Sequence, residues 1–316
     1  MNRQQAAILA LGRSLKADDY SFVTPTPATH ERYLARSRRT DTYPLREVFG
    51  WNRPFEAYEL DGVRRRLLED AEMLEVTPPG KFRSLIRFST IGELLFAHSS
   101  YPTSERDSVF FGPDTYRFAC AISGLADRYP QFRPGTIVDV GTGSGAGGIF
   151  AKSLFQNASR VVLSDINPKA LEFAQINAVL NDCEADFRQS DILKSVDAAP
   201  DLVISNPPYL IDAADRAYRH GGGDWGCALA ERILDEALDR LSGEGHLLLY
   251  SGAPIVNGVD KFLEAVRPVL RQRVNKFRYE ETDPDVFGEE LESAPYDQAD
   301  RIATVVLHVN AADISR

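Results

Sequence analysis

Short apolar runs alternate with helical stretches from about residue 105 onward. Four of the runs are rich in Val, Ile and Leu and predict buried strands. They are T-I-V-D-V (136–140), R-V-V-L-S-D (160–165), D-L-V-I-S (201–205) and H-L-L-L-Y-S (246–251). Alternating strands and helices predict a parallel sheet with helices on both faces, which binds its ligands at the carboxyl ends of the strands.

Local signals predict where two of the helices begin and end. Asn167 is an N-cap residue followed by proline at the first helical position, Pro168. Asp224 is predicted to cap a later helix that carries one apolar stripe, and Gly243 is predicted to end that helix. The stripe consists of Leu229, Ile233, Leu234, Ala237, Leu238 and Leu241.

The first hundred residues follow a different pattern. The predicted helices lie near 3–16, 44–49 and 62–74. Pro78-Pro79-Gly80 predicts a turn, and a pair of strands is predicted on either side of Thr90-Ile91-Gly92. Short helices followed by a hairpin are typical of a winged-helix-like module. We therefore predict a smaller, mainly helical accessory and substrate-recognition domain over 1–104 and a catalytic domain over 105–316.

Charge changes at the same place in the chain. Residues 1–100 contain 15 Lys and Arg against 13 Asp and Glu, and the remainder contains 21 against 33. The front segment is therefore slightly basic, whereas the rest is acidic, which disfavours phosphate binding unless a local basic patch compensates. Arginines cluster in R-Y-L-A-R-S-R-R (32–39) and at Arg64-Arg65-Arg66, where they either line solvated helix faces or bind nucleic acid or an acidic partner.

Composition predicts a cytoplasmic protein that holds no metal and contacts no membrane. No apolar run approaches the roughly 18 residues that a membrane helix needs, and the amino terminus lacks a small-residue cleavage site. The three cysteines, Cys120, Cys183 and Cys227, show no C-x-x-C spacing, and the five histidines are scattered. This usage predicts neither a disulfide framework nor a metal centre.

The first candidate binding motif is V-D-V-G-T-G-S-G-A-G-G, residues 138–148. A strand runs directly into Gly141, Gly143 and Gly145, which allow the backbone to turn tightly and to lie close to a ligand. By itself the pattern nearly satisfies a dinucleotide fingerprint, and a tight strand-to-helix turn is the structural alternative.

Two carboxylates follow the glycine loop at the ends of the next strands. Asp165 lies twenty residues beyond Gly145, where a carboxylate accepts hydrogen bonds from both hydroxyls of a ribose. Asp191 and Ile192 follow a predicted third strand, E-A-D-F-R. A carboxylate beside an aliphatic side chain suits an adenine, with Asp191 on the amino group and Ile192 on the ring.

The run S-N-P-P-Y-L-I-D (205–212) follows the fourth predicted strand. Its two prolines fix the backbone, so that the Asn206 side-chain oxygen and the Pro207 carbonyl become rigid acceptors for a planar NH2 group. Tyr209 offers a flat face on which a planar group can stack. The site therefore predicts an amide or the exocyclic amino group of a base as the acceptor.

Together these motifs resemble the class I S-adenosylmethionine-dependent methyltransferases that carry an N-P-P-Y motif, especially the release-factor glutamine and related small-domain enzymes. The resemblance extends over roughly 105–310, including F-F-G-P-D-T-Y-R-F-A (110–119) and G-G-G-D-W-G (221–226). It implies a Rossmann-like fold with a mostly parallel seven-stranded sheet and S-adenosylmethionine as the cofactor. The catalytic residues it implies are Asn206, Pro207 and Tyr209. The cofactor contacts it implies are Pro113, Thr115, Asp139, Gly141, Gly143, Gly145, Asp165, Ile166, Asp191, Ile192 and Asn206.

The acceptor stays open between a protein glutamine, in a substrate such as a translation release factor, and an RNA or DNA base methylated at adenine N6 or guanine N2. An acidic segment bears on this choice, because 280–301 contain nine acids and one arginine. Placed at the ligand-binding edge of the sheet, it would repel a polyphosphate and attract a basic protein. A binding protein without catalysis and a nicotinamide dehydrogenase are the weaker alternatives.

Overall fold

The structure is a computed structural model that describes residues 1–36, 44–197, 199–212, 214 and 216–315. The arginine cluster at 32–39 therefore lies partly outside the described residues. The helices are α1 (Arg3–Ala17), α2 (Pro27–Leu34), α3 (Pro44–Phe49), α4 (Gly62–Asp70), α5 (Pro113–Arg128), α6 (Ala146–Leu154), α7 (Pro168–Leu180), α8 (Ala228–Arg240) and α9 (Lys261–Arg273). The strands are β1 (Leu74–Thr77), β2 (Lys81–Ser84), β3 (Ile86–Ile91), β4 (Leu94–Ser99), β5 (Thr136–Val140), β6 (Arg160–Asp165), β7 (Asp186–Gln189), β8 (Leu202–Ser205), β9 (His246–Val256), β10 (Val259–Asp260), β11 (Phe277–Asp283) and β12 (Arg301–Asn310).

The central sheet has the order β11-β12-β9-β8-β5-β6-β7, and the two-residue strand β10 pairs beside β9. The strands from β7 to β9 run parallel, whereas β12 is antiparallel to both β9 and β11. The chain order reverses between β5 and β8. A ligand crevice is expected at this point, outside the carboxyl ends of the two strands.

Alternating side chains of the strands enter cores on the two faces of the sheet. In β5, Val138 and Val140 join the cluster formed with α8 and α9, whereas Ile137 joins the cluster formed with α5 and α6. The predicted apolar stripe of α8 packs into the first of these cores. Both faces are therefore covered, which leaves the ends of the strands as the accessible edge.

The front segment packs against α7 of the sheet domain. Its apolar residues share one core cluster with Phe173, Ile176 and Leu180 of that helix. The Asn177 side chain pairs with the backbone of Ala97 in β4, accepting from its N–H at 2.8 Å and donating to its carbonyl at 2.9 Å. Asn177 also donates to the Ser144 carbonyl at 2.8 Å, so that it joins the front segment to the glycine loop.

Several local predictions are confirmed. The strand pair around Thr90-Ile91-Gly92 is the antiparallel hairpin β3–β4. The Asn167 side chain caps α7 by accepting from the Lys169 N–H at 3.0 Å. The central sheet is mostly parallel, as predicted, with only its last strands antiparallel among the residues described.

Other local predictions are wrong. The helix predicted to extend to residue 74 ends at Asp70, and Leu74 begins β1. Pro78-Pro79-Gly80, by contrast, is a turn as predicted, and it connects the strands of a hairpin, β1–β2, that was not predicted. Asp224 does not cap α8, whose N-cap residue is Cys227 and which has no side-chain cap. Asp224 instead lies in a turn between Gly223 and Gly226, both of which have positive φ angles, and the helix begins only at Ala228.

Candidate active site

A cavity of about 350 Å³ lies at the carboxyl ends of β5, β6, β7 and β8. Two of the three predicted glycines, the two carboxylates and the N-P-P-Y turn line this space, although they lie far apart in the sequence. Gly145 does not line it. The predicted residues that line it are Thr115, Asp139, Gly141, Gly143, Asp165, Ile166, Asp191, Ile192, Asn206, Pro207 and Tyr209. Pro113 begins α5, and its neighbour Asp114 lines the cavity instead.

The glycine loop adopts a conformation that favours glycine. Gly141, Gly143 and Gly145 have φ angles of +68°, +54° and +82°, in the left-handed region that costs little only without a Cβ. A Cβ added at Gly141 or Gly143 would meet no atom within 4 Å, whereas at Gly145 it would approach Ile149 at 3.0 Å. The first two glycines therefore border open space. The third allows the start of α6 to pack closely against Ala174 of α7.

Asp139, in the strand that precedes the glycine loop, stabilises this loop. Its buried carboxylate accepts from the Thr142 hydroxyl at 2.6 Å and from the Gly148 N–H at 2.8 Å. Burial raises the pKa of Asp139 to about 7, against the two hydrogen bonds that lower it. Asp139 thus holds the loop and the first turn of α6 together.

Asp165 ends β6 and faces the glycine loop. One carboxylate oxygen accepts from the Gly143 N–H at 2.8 Å, and the other accepts from the Asn167 N–H at 2.9 Å. Burial raises the pKa of this carboxyl, and the backbone donors oppose that shift. Each carboxylate oxygen has a second lone pair, so that the group can still accept hydrogen bonds from a diol in the cavity.

Asp191 follows β7 and is engaged by two cations. The Arg232 guanidinium lies 2.9 Å from each of its oxygens, and the Lys194 ammonium also contacts it. Lys194 and Arg232 lower the pKa of Asp191. Ile192 has a φ angle of +56° and is buried, whereas Ile166 is 63% exposed beside the cavity. The two isoleucines offer apolar surface for a ring at this end.

Asn206 follows β8 and lines the cavity. Among the residues that the structure describes, its side chain forms no hydrogen bond. The neighbouring Ser205 hydroxyl donates to the Val140 carbonyl at 2.7 Å, which joins β8 to the strand that precedes the glycine loop. The Asn206 side-chain oxygen can therefore accept a hydrogen bond from a ligand that lies close to the glycine loop.

Tyr209 is anchored by a residue that the predicted site omits. Its hydroxyl donates to Asp114 at 2.8 Å, and its ring is only 6% exposed. The P-D-T-Y segment could have indicated Asp114, because an acid in the first turn of a helix that begins at the site can contact residues of the site. Phe287 of the acidic segment and Tyr218 also line the cavity. Nothing in the local pattern around these two aromatic residues indicates this placement.

These groups suit an adenosyl ligand. The glycine loop leaves open space beside its backbone, Asp165 can accept from a ribose, and the isoleucines flank the far end. The residues that would hold S-adenosylmethionine are the glycine loop, Asp165, Asp191 and the isoleucines. No helix in the described part of the chain is long and apolar enough to cross a membrane, and those same residues contain no cluster of potential metal ligands.

Numbered along the chain, the seven strands of the sheet have the order 3-2-1-4-5-7-6 with the last strand antiparallel. This topology and the cavity at its switch point define a Rossmann-like domain of the class I methyltransferase type. The predicted fold is therefore confirmed.

Comparison with known proteins leads to the same class. Residues 121–256 match the family described as methyltransferase small domain. A release factor glutamine methyltransferase from Koribacter versatilis is 30% identical over 166 residues, which are 48% of this chain and 57% of the relative. A ribosomal RNA small subunit methyltransferase C from Actinobacillus pleuropneumoniae is 28% identical over 146 residues, which are 46% of this chain and 40% of the relative. The chain thus spans about half the length of these curated relatives.

Among solved structures, the T. thermophilus 16S rRNA N2 G1207 methyltransferase aligns with a TM-score of 0.47 at 18% identity, covering 79% of this chain and 62% of that one. The family match and the release-factor relative confirm the predicted resemblance to class I, small-domain methyltransferases. They also bear out S-adenosylmethionine as the predicted cofactor.

Proposed function

We propose that this protein is an S-adenosylmethionine-dependent N-methyltransferase whose acceptor is a planar NH2 group, in the first place a protein glutamine side chain. The observation that carries the proposal is the position of Asn206. Asn206 follows β8 and lines the same cavity as Asp165 and the glycine loop, and its side-chain amide has no hydrogen-bond partner among the described residues. One cavity thus combines groups for an adenosyl ligand with an acceptor for NH2 protons.

Bound S-adenosylmethionine would supply an electrophilic methyl group on a sulfonium. The chain itself would hold the acceptor, because the Asn206 oxygen and the Pro207 carbonyl can each accept one N–H of an NH2 group. Two such hydrogen bonds orient the nitrogen lone pair and favour the positive charge that develops on nitrogen. The nitrogen would form its new bond to the methyl carbon as the carbon–sulfur bond breaks and leaves a neutral thioether, and the methylated nitrogen would then lose its proton to solvent.

The acidic segment supports a protein acceptor. Its Phe287 lines the cavity, and its Glu290 forms an ion pair with Arg219 at the cavity wall. Glu289 and Glu292 beside them are exposed and, among the described residues, have no ion pair. A negative surface next to the acceptor side favours a basic protein over a polyphosphate.

The front segment offers a second recognition surface. We propose 1–104 as the region that selects the acceptor, since Tyr218 of the cavity wall donates to the Thr103 carbonyl at 2.7 Å. The alternative acceptor, an RNA or DNA base, is favoured by the arginines of this segment. Arg64, however, is bound to Asp18 and Asp61, which reduces the positive charge that α4 presents to phosphate.

The test is transfer of labelled methyl groups from S-adenosylmethionine to a fractionated extract of a strain that lacks the protein. We expect label in protein, located at a glutamine by mass spectrometry, and none with Asn206→Ala. Label found only in RNA or DNA would show that the acceptor is a nucleic-acid base and not a protein. No label dependent on Asn206 in either fraction would overturn the proposal.

A further inference from the structure

The Asp114 carboxylate forms the centre of a buried network behind the N-P-P-Y turn. It is 5% exposed and accepts from two phenols, those of Tyr209 and Tyr250, each at 2.8 Å. Arg117 donates to it at 3.1 Å and also donates to Asp283, the last residue of β11, at 2.8 Å. Removing the carboxylate would leave two buried hydroxyls without their acceptor.

Gly252 of β9 contacts the other side of the Tyr209 ring. A Cβ added at Gly252 would lie 2.2 Å from Cδ2 and 2.5 Å from Cε2 of that ring. Real Cβ atoms do not approach carbon so closely, so any side chain at this position must displace the ring. The glycine is therefore a steric condition for the observed position of Tyr209.

Two glycines of the G-G-G-D-W-G segment contact the backbone of the same turn. A Cβ on Gly226 would lie 2.3 Å from the Tyr209 carbonyl oxygen, and one on Gly221 would lie 2.6 Å from the Pro208 carbonyl oxygen. The Gly221 N–H donates to the Leu210 carbonyl at 2.8 Å. The segment thus packs directly on the turn, where side chains would not fit.

We infer that Asp114 and Gly252 are positioning residues that hold Tyr209, and through it the carbonyl of Pro207 and the amide of Asn206, in the orientation for the acceptor. The inference rests on the proposed function for its catalytic consequence, whereas the contacts exist independently of it. Asp114 fixes the ring by its hydroxyl and Gly252 fixes it by contact. Asp114 lies at the cavity wall, whereas Gly252 does not line the cavity.

The experiment compares Asp114→Asn and Gly252→Ala with Gly124→Ala. Gly124 is the matched control, since it lies in the same helix as Asp114 and an added Cβ there meets no atom within 4 Å. Hydrogen exchange at the amides of Leu210 and Ile211 reports on the turn, and titration with S-adenosylhomocysteine reports on the cofactor site. Neither measurement requires a known acceptor.

We expect exchange at these amides to increase about tenfold in both variants, with unchanged S-adenosylhomocysteine affinity and no change in Gly124→Ala. With the acceptor in hand, Gly252→Ala should lower kcat by about 10²-fold and change KM little. In a Tyr209→Phe background, Asp114→Asn should lower kcat less than it does in the wild-type chain, because only its contacts with Tyr250 and Arg117 are then changed.

Wild-type exchange at the turn in Gly252→Ala, or additive effects of Asp114→Asn and Tyr209→Phe, would overturn the inference. If Gly252→Ala prevents folding, Tyr209→Ala in the same chain should make the added methyl group tolerable, and an undiminished defect would contradict the contact. A wild-type protein that methylates nothing would remove the proposed function, while the exchange data would still decide the positioning roles.

Discussion

Asp165 accepts a hydrogen bond from the Gly143 N–H at 2.8 Å, which joins the end of β6 to the tip of the glycine loop. The carboxylate that would bind a ribose therefore also sets the loop that borders it. Asp165→Ala should weaken S-adenosylhomocysteine binding by about 10²-fold, because charge-assisted hydrogen bonds are lost and the loop loses a partner. Isothermal titration calorimetry measures this, and Asp186→Ala on the neighbouring strand is the control. Equal affinity in both variants would contradict the role of Asp165.

Asn206→Ala should separate binding from transfer. We expect kcat/KM to fall by about 10³-fold, because an acceptor of the NH2 protons is lost while the cofactor contacts of the loop and Asp165 persist. S-adenosylhomocysteine affinity, measured by calorimetry, should stay near the wild-type value. A large loss of affinity with normal turnover would show that Asn206 serves the cofactor alone.

Asp139 should give the stability of the protein a specific pH dependence. Burial raises its pKa from 3.8 to about 7 in the folded state, so the neutral acid is favoured by folding. The contribution of Asp139 to the free energy of unfolding is complete below the pKa of the unfolded chain and is lost as pH rises through about 7. Asp139→Asn keeps an acceptor oxygen for Thr142 and Gly148 but cannot ionise. From pH 5 to pH 8 the wild type should therefore lose on the order of 2 kcal/mol more unfolding free energy than this variant does.

The pH dependence can be measured by urea unfolding at both pH values, with Asp201→Asn at the strand bases as a comparison. Parallel stability profiles for wild type and Asp139→Asn would mean that Asp139 titrates normally in the folded protein.

The charge of the acidic segment should act on the acceptor rather than on the cofactor. Glu289→Lys with Glu292→Lys should raise KM for a basic protein acceptor by about threefold to tenfold at low salt. The difference should shrink at high salt, where exposed charges are screened. The control is Asp127→Lys with Glu244→Lys, two exposed acids at the opposite edge of the sheet. A lowered KM would instead favour a nucleic-acid acceptor.

Asn177 should be costly to remove, although it contacts no ligand. Asn177→Ala leaves the N–H and carbonyl of Ala97 and the Ser144 carbonyl without their partner. We expect a loss of about 3 kcal/mol in unfolding free energy, measured by urea denaturation, together with weaker S-adenosylhomocysteine binding. Asn177→Asp keeps the acceptor but turns a carboxylate oxygen towards the Ala97 and Ser144 carbonyls in a buried site, so it should cost at least as much as Asn177→Ala at neutral pH. A loss below about 0.5 kcal/mol would contradict this account.

The sequence determined the sheet domain and most of its cavity. Buried parallel strands leave apolar runs that can be recognised locally, and in β5 and β6 the predicted and observed bounds agree. The carboxyl ends of these strands share one edge by topology alone, so Asp165, Asp191 and Asn206 could be placed together without knowledge of any side-chain contact.

Only the tertiary structure decided which groups support that cavity. Asp114 meets Tyr209 across 95 residues of sequence, and Gly252 meets the same ring from a different strand. The pairing of Asn177 with β4 likewise spans 80 residues. Such contacts depend on how helices pack on a sheet to within an ångström. Local propensity and hydrophobic period carry no information at that scale, because they report which face is buried and not what it touches.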